Sequence, residues 1–111
     1  MTQFRTDPVG EDIAVVRPDG RLNMVAAPEL RDTVTRAVQS GRPRVVVDLS
    51  GVDFMDSSGL GALIASLKTA RQAGGDLRLA GVGEQVALVL QLSNVDRILK
   101  PYANADDAFR N

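Results

Sequence analysis

The chain has 111 residues, 44% of them hydrophobic and 24% charged, a length and composition that suit one globular domain over residues 1–111. It contains no Cys, His or Trp, which excludes disulfides, thiol chemistry, Cys or His metal sites and every mechanism that uses imidazole to carry a proton. With 13 basic against 14 acidic residues the net charge is -1, so no overall field draws the chain towards nucleic acid or an anionic membrane.

Met1 to Val9 is polar and mixed, with no apolar core of the kind a signal peptide carries. Within it Gln3 to Thr6 is a weak strand candidate, and Ile13 to Arg17 is a stronger one, β-branched and apolar, closed by Pro18-Asp19-Gly20. Together they predict a hairpin. Pro28 opens a helical pattern in which Leu30, Val34, Ala37 and Val38 share one face, and Gly41 ends it from the C′ position. Arg44 to Asp48 carries three successive valines without alternation, the mark of a central strand covered on both faces.

After a predicted loop from Leu49 to Met55, a helix opens at Asp56-Ser57-Ser58 and runs to about Ala73, with Leu60, Leu63, Ile64 and Leu67 as its core stripe and Gly74-Gly75 as its stop. Asp76 to Ala80 reads as a strand, Glu84 to Leu92 as a helix with an apolar centre, and Val95 to Lys100 as a turn followed by a short strand. Asn104 is placed to cap a last short helix through Phe109. The order predicts an α/β fold, a small mixed sheet with packed helices.

The aromatics, Phe4, Phe54, Tyr102 and Phe109, do not alternate with Arg or Lys as a base-stacking surface requires, so no nucleic-acid partner is expected. The longest wholly apolar run, Val86 to Leu90, falls far short of the roughly 20 residues of a membrane span. No membrane insertion is expected, and the cytoplasm is the default location.

The carboxylates Asp48, Asp53 and Asp56 cluster after the central strand, where α/β folds place their sites. A phospho-accepting aspartate at Asp48 would need an acid pair at the end of an earlier strand to hold Mg²⁺, and Glu11-Asp12 precedes its strand instead. Asp-x-Ser-x-Ser metal patterns starting at Asp48 or Asp56 fail because Val52 and Leu60 stand at the second serine. Ser57 and Ser58 have no histidine base, Lys68 and Lys100 lack serine-lysine spacing, and no phosphate-cradling Gly-rich motif is present. No catalytic residue, metal or cofactor is therefore expected.

The segment from Asp53 to Gly61 remains. Its plainest description is a helix N-terminus, capped by Asp or Ser and favoured by the charge of Asp56 at the positive end of the helix dipole. That leaves Gly59 and Gly61 unexplained, since each costs on the order of 1 kcal/mol relative to Ala inside a helix. The pair suggests that something approaches the backbone closely, a kinase reaching a hydroxyl or a partner lying flat on the helix start.

Val45-Val46-Val47-Asp48-Leu49, then Phe54-Met55-Asp56-Ser57-Ser58-Gly59-Leu60-Gly61, then Gly74-Gly75 before a strand, resembles the STAS domain of bacterial anti-sigma factor antagonists. The likeness extends to Gly20-Arg21-Leu22, Ala27-Pro28-Glu29-Leu30 and Leu90-Gln91-Leu92-Ser93-Asn94-Val95. It implies a mixed sheet of four to five strands with about four helices, and a regulatory binding protein, monomeric or dimeric, rather than an enzyme. In that family the unmodified antagonist binds an anti-sigma factor that is also a serine kinase and so frees the sigma factor. Phosphorylation of the hydroxyl residue directly after the motif's Asp ends the binding, and a metal-dependent serine phosphatase restores it.

By resemblance the phosphoacceptor is Ser57, with Ser58 the alternative, and the partner surface comprises Leu22, Asn23, Asp56, Ser57, Ser58, Gly59, Leu60 and Gly61. Asn23 departs from the pattern, because members of this type often carry Asp there; Asn keeps the hydrogen bonds and drops the charge. Asn23 also suits a turn or cap before the Pro28 helix. The alternative is a non-switching accessory or scaffold STAS subunit, in a stress-signalling complex or on a transporter, that docks through the same surface.

Overall fold

The computed structural model describes residues 2–109; Met1, the first residue of the polar N-terminal stretch, and Arg110 and Asn111 lie outside them. β1 (Gln3–Val9) and β2 (Ile13–Leu22) form the predicted hairpin, antiparallel from Gln3 opposite Asp19 to Val9 opposite Ile13. Then come α1 (Ala27–Gln39), β3 (Arg44–Asp48), β4 (Gly51–Met55), α2 (Ser57–Gln72), β5 (Asp76–Ala80), α3 (Glu84–Leu92) and β6 (Pro101–Tyr102). Single 3-10 turns occupy Val95–Arg97 and Ala105–Asp107, the latter capped by Asn104. The last strand thus starts at Pro101, after the Val95–Lys100 stretch where it was expected, and the Asn104 cap opens one turn rather than a helix through Phe109.

The sheet has six strands, in the order β1-β2-β3-β5-β6, with β4 pairing β2 off that path. All pairings beyond the hairpin are parallel, and the helices that connect those strands supply the crossovers parallel pairing requires. Six strands and three α-helices replace the expected four to five and about four. The extra strand is β4, in what read as the Leu49–Met55 loop. Gly51 and Asp53 disguise it, yet Val52 and Met55 are buried and pair it to the second half of β2.

β2 is the organising strand. Its first half, Ile13 to Val16, pairs with β3, and its second half, Asp19 to Leu22, pairs with β4. Arg17 and Pro18 lie at the step between the two parallel partners, and the register shifts between Gly20 and Arg21. Gly20 sits there at φ 124, the left-handed region that glycine tolerates in a bulge. Pro18-Asp19-Gly20 therefore marks an irregularity inside a long strand, where the sequence pattern predicted its end.

Both faces of β3 are covered, as its three valines require. Val45 and Val47 join Leu30, Val34, Leu63, Leu67, Leu77 and Leu79 in the main core beneath the helices. Val46 faces the other way, into a smaller cluster with Val15, Ala80 and Ala108, packed by Tyr102, Ala105 and Phe109. The guanidinium groups of Arg44 and Arg78 lie 4.6 and 4.4 Å from the Phe109 ring centre and extend that cover.

α1 packs against α2. The buried stripe of α2 is Gly59, Ala62, Leu63, Ser66, Leu67 and Ala70, while Leu60 and Ile64 are only half-buried. Small residues turn inward more than the leucine pattern suggested, which lets the helix approach its neighbours closely. Gly41 and Gly74 end α1 and α2 at the C′ position, with the next N–H groups returning to Ala37 and Ala70.

On the second face of the sheet, Arg17 bridges Asp48, whose side chain is 12% exposed, and Asp7, at 2.9 Å. The Ser50 N–H also donates to Asp48. The hydrogen bond from Arg17 holds the Asp7 carboxyl below the usual Asp range, so its stabilising contribution is complete at neutral pH and is lost only as the pH falls through that lowered value.

Two stability predictions follow from this packing. Arg17→Ala leaves the Asp48 carboxylate without its cation and should cost about 3 kcal/mol in urea unfolding. Ser66→Ala should be neutral or stabilising by up to about 1 kcal/mol, because the buried Ser66 Oγ has no hydrogen-bond partner among the described residues.

Candidate functional site: the start of α2

β4 delivers the chain to α2 at Asp56. The residue is extended (φ -107, ψ -174), and its Oδ1 accepts hydrogen bonds from the N–H groups of Ser58 at 2.9 Å and Gly59 at 3.0 Å. The cap expected from the sequence is therefore in place, and it commits Asp56 to satisfying the helix start. Ser57, the first helical residue, is exposed, and its hydroxyl has no hydrogen-bond partner among the described residues. Ser58 is half-buried.

The two glycines separate. A Cβ on Gly59 would stand 2.2 Å from the backbone oxygen of Leu22, so the close approach there comes from the protein's own β2. Gly61 is exposed, with nothing within 4 Å of where its Cβ would be. Leu22 has no exposed surface and Gly59 is buried. Both lie beneath the site and support it. Leu60 is half-buried beside them.

The end of β2 lies against this helix start. Leu22 pairs with Met55, and the Asp56 N–H reaches the Leu22 carbonyl at 3.3 Å. The next residue, Asn23, begins the loop into α1. Its Oδ1 accepts from the N–H groups of Val25 and Ala26, both at 3.1 Å, and its carbonyl accepts from Ala27. Asn23 thus forms the turn anticipated before the Pro28 helix, whose N-cap position, Ala26, has no side-chain cap. The turn leaves Met24 and Val25 72% and 84% exposed, a pair of apolar side chains that periodicity could not place.

One supporting contact has no counterpart in the sequence pattern. From α3, the Gln85 side chain accepts the Met55 N–H at 2.8 Å and donates to the Met55 carbonyl at 3.0 Å. The one available signal was a neutral polar residue just ahead of the apolar run Val86 to Leu90.

Asp53 is exposed on β4, and the guanidinium of Arg21, opposite Phe54 in the β2–β4 ladder, stacks 4.4 Å from the Phe54 ring centre. Asp48, Asp53 and Asp56 do not converge: Asp48 is paired on the second face of the sheet, Asp53 points to solvent and Asp56 caps α2. Among the described residues no group of three or more acidic side chains could hold a metal ion, and no helix is long and apolar enough to cross a membrane.

The STAS domain family model matches residues 6–108. The chain belongs to the STAS domain family. A Staphylococcus aureus relative named anti-sigma-B factor antagonist is 29% identical over 84 residues, 76% of this chain and 78% of that one. The crystal structure of an anti-sigma factor antagonist from Mycobacterium paratuberculosis superposes with a TM-score of 0.85 at 27% identity, covering 97% of this chain and 91% of that one. Structures of the Bacillus cell fate determinant SpoIIAA share the fold at 21% identity in its unphosphorylated form (TM-score 0.80, 94% and 91% covered) and its phosphorylated form (0.73, 94% and 95% covered). These relatives are anti-sigma factor antagonists by name.

The two glycines give opposite predictions. Gly59→Ala should destabilise the domain by several kcal/mol, about 3 or more, because backbone on either side must shift. Gly61→Ala should raise stability by up to about 1 kcal/mol through helix propensity alone; thermal melts of the two variants compare them directly.

Proposed function

We propose that this protein is an anti-sigma factor antagonist switched at Ser57. The unmodified domain binds an anti-sigma factor with serine kinase activity and so releases a sigma factor; phosphorylation of Ser57 ends that binding, and a metal-dependent serine phosphatase resets it. The observation that carries the proposal is the exposed hydroxyl at the first position of α2, directly after its Asp cap and without a hydrogen-bond partner among the described residues. Exposure also favours Ser57 over the half-buried Ser58.

The surroundings suit a surface that two states use differently. Met24 and Val25 offer apolar contact on the loop beside the helix start, Gly61 leaves the backbone open there, and the partly buried Leu60 and Asn23 adjoin them. A phosphoserine adds about -1.5 to -2 charges close to Asp56 and Asp53. In the free domain the helix N-terminus accommodates that charge, so the fold persists. In the complex it would be buried without a countercharge, at a cost of about 3 to 5 kcal/mol, or two to nearly four orders of magnitude in affinity. The names of the relatives, and the existence of a fold neighbour solved in both phosphorylation states, support the proposal. The domain itself needs no base, metal or activated nucleophile, because another enzyme's kinase site would supply the chemistry.

The test is incubation with the cognate anti-sigma kinase and ATP, followed by mass spectrometry. One phosphate on Ser57 is expected in the wild type and none in Ser57→Ala. Ser57→Asp should weaken the complex at least tenfold in titration calorimetry while circular dichroism and melting stay near wild type. Absence of phosphate at Ser57, or a modified protein that binds as tightly as before, would overturn the proposal.

A further inference from the structure

We propose that Gln85 is the positioning residue of the Ser57 segment, holding the β4–α2 junction in place from α3. The inference rests on the reading of Ser57 as acceptor only for its functional consequence.

β5 pairs with β3 and does not reach β4, so β4 has a strand neighbour, β2, on one side only. On that side the junction is held by the Asp56 N–H to the Leu22 carbonyl, a long bond of 3.3 Å. Because backbone groups alternate along a strand, the N–H and C=O of Met55 both point the other way, to the edge without a strand. Met55 is 1% exposed, and a buried N–H and C=O left unpaired there would be costly.

A glutamine amide carries one acceptor oxygen and donor hydrogens at the spacing of a peptide group, so it can stand in for one residue of a missing strand. Gln85 does so, with bonds of 2.8 and 3.0 Å to the two groups of Met55. Val86, fully buried beside it, and Leu90, 1% exposed, anchor α3 in the main core. The amide thus ties a fixed helix to the residue immediately before the Asp56 cap. Where Gln85 holds Met55, Asp56 caps the helix, and Ser57 projects from one fixed place. Gln85 touches no reacting group; it acts through the backbone.

Two variants of the full chain test this. Gln85→Met keeps the volume and loses both hydrogen bonds; Gln85→Glu keeps the acceptor and, ionised at neutral pH, loses the donor. Amide hydrogen exchange of the free protein is read at Met55, Ser58 and Gly59 and, as core references, at Val46 and Leu79. The expected result for Gln85→Met is a drop in protection of about tenfold or more at the first three, with the references unchanged, since about one net hydrogen bond per factor of ten is lost. With the cognate kinase, kcat/KM for Ser57 phosphorylation should fall about tenfold, and Gln85→Glu should retain more Met55 protection than Gln85→Met.

Unchanged protection at the junction, loss spread evenly over junction and core, or selective loss with an unchanged phosphorylation rate would each overturn the inference. A wild-type protein that the kinase does not phosphorylate would instead defeat the reading of Ser57, while the exchange measurements would still decide whether Gln85 holds the junction.

Discussion

The carbonyl of Leu22 is the point on which the site depends. It accepts the N–H of Asp56 and lies so close to Gly59 that no side chain fits between. Both contacts require β4 to lie alongside the second half of β2, and that in turn requires β2 to change partners midway. The step at Arg17-Pro18 and the bulge at Gly20 permit the change. A strand that would otherwise need one long neighbour is served by two short ones, and the second of them ends where α2 begins. The helix start is consequently braced from below by Leu22, from the side by Gln85 and from within by its own Asp cap.

That bracing divides the segment from Asp56 to Gly61 into supports and surface. Asp56 and Gly59 are occupied with the fold itself, whereas Ser57 and Gly61 face outward, without partners among the described residues. A hydroxyl carried on a rigid helix terminus is presented from one backbone position, which lowers the entropic cost of recognition by another protein. The neighbouring Met24 and Val25 are held out by the Asn23 turn in the same way. The carboxylates that might have suggested catalysis are spoken for elsewhere. Asp48 in particular belongs to an ion pair on the far face of the sheet, where Arg17 offsets the cost of its burial.

The parts of the fold legible in the sequence were those governed by local rules. Three successive valines identified the central strand, the spacing from Leu30 to Val38 identified α1, and Asp56 identified the start of α2, because periodicity and capping act within a turn or a strand. β4 was not legible: a five-residue segment with Gly51 and Asp53 in it becomes a strand only when β2 is there to pair with it. Pro18-Asp19-Gly20 misled for a related reason, since turn-forming residues also make bulges, and only the two-partner pairing distinguishes the cases.

The same division holds for the site. Sequence alone determined the capped helix start, the adjacent serines, the STAS-like motif around them and the absence of imidazole and thiol chemistry, all properties of residue types and short-range order. Tertiary structure decided which serine is exposed, that Gly59 serves Leu22 while Gly61 stands open, that Asn23 is tied into its own turn, and that Gln85 completes the edge of β4. Those outcomes depend on contacts between residues far apart in the chain, 30 positions in the case of Met55 and Gln85, and no local pattern records a contact whose other half lies on a different element.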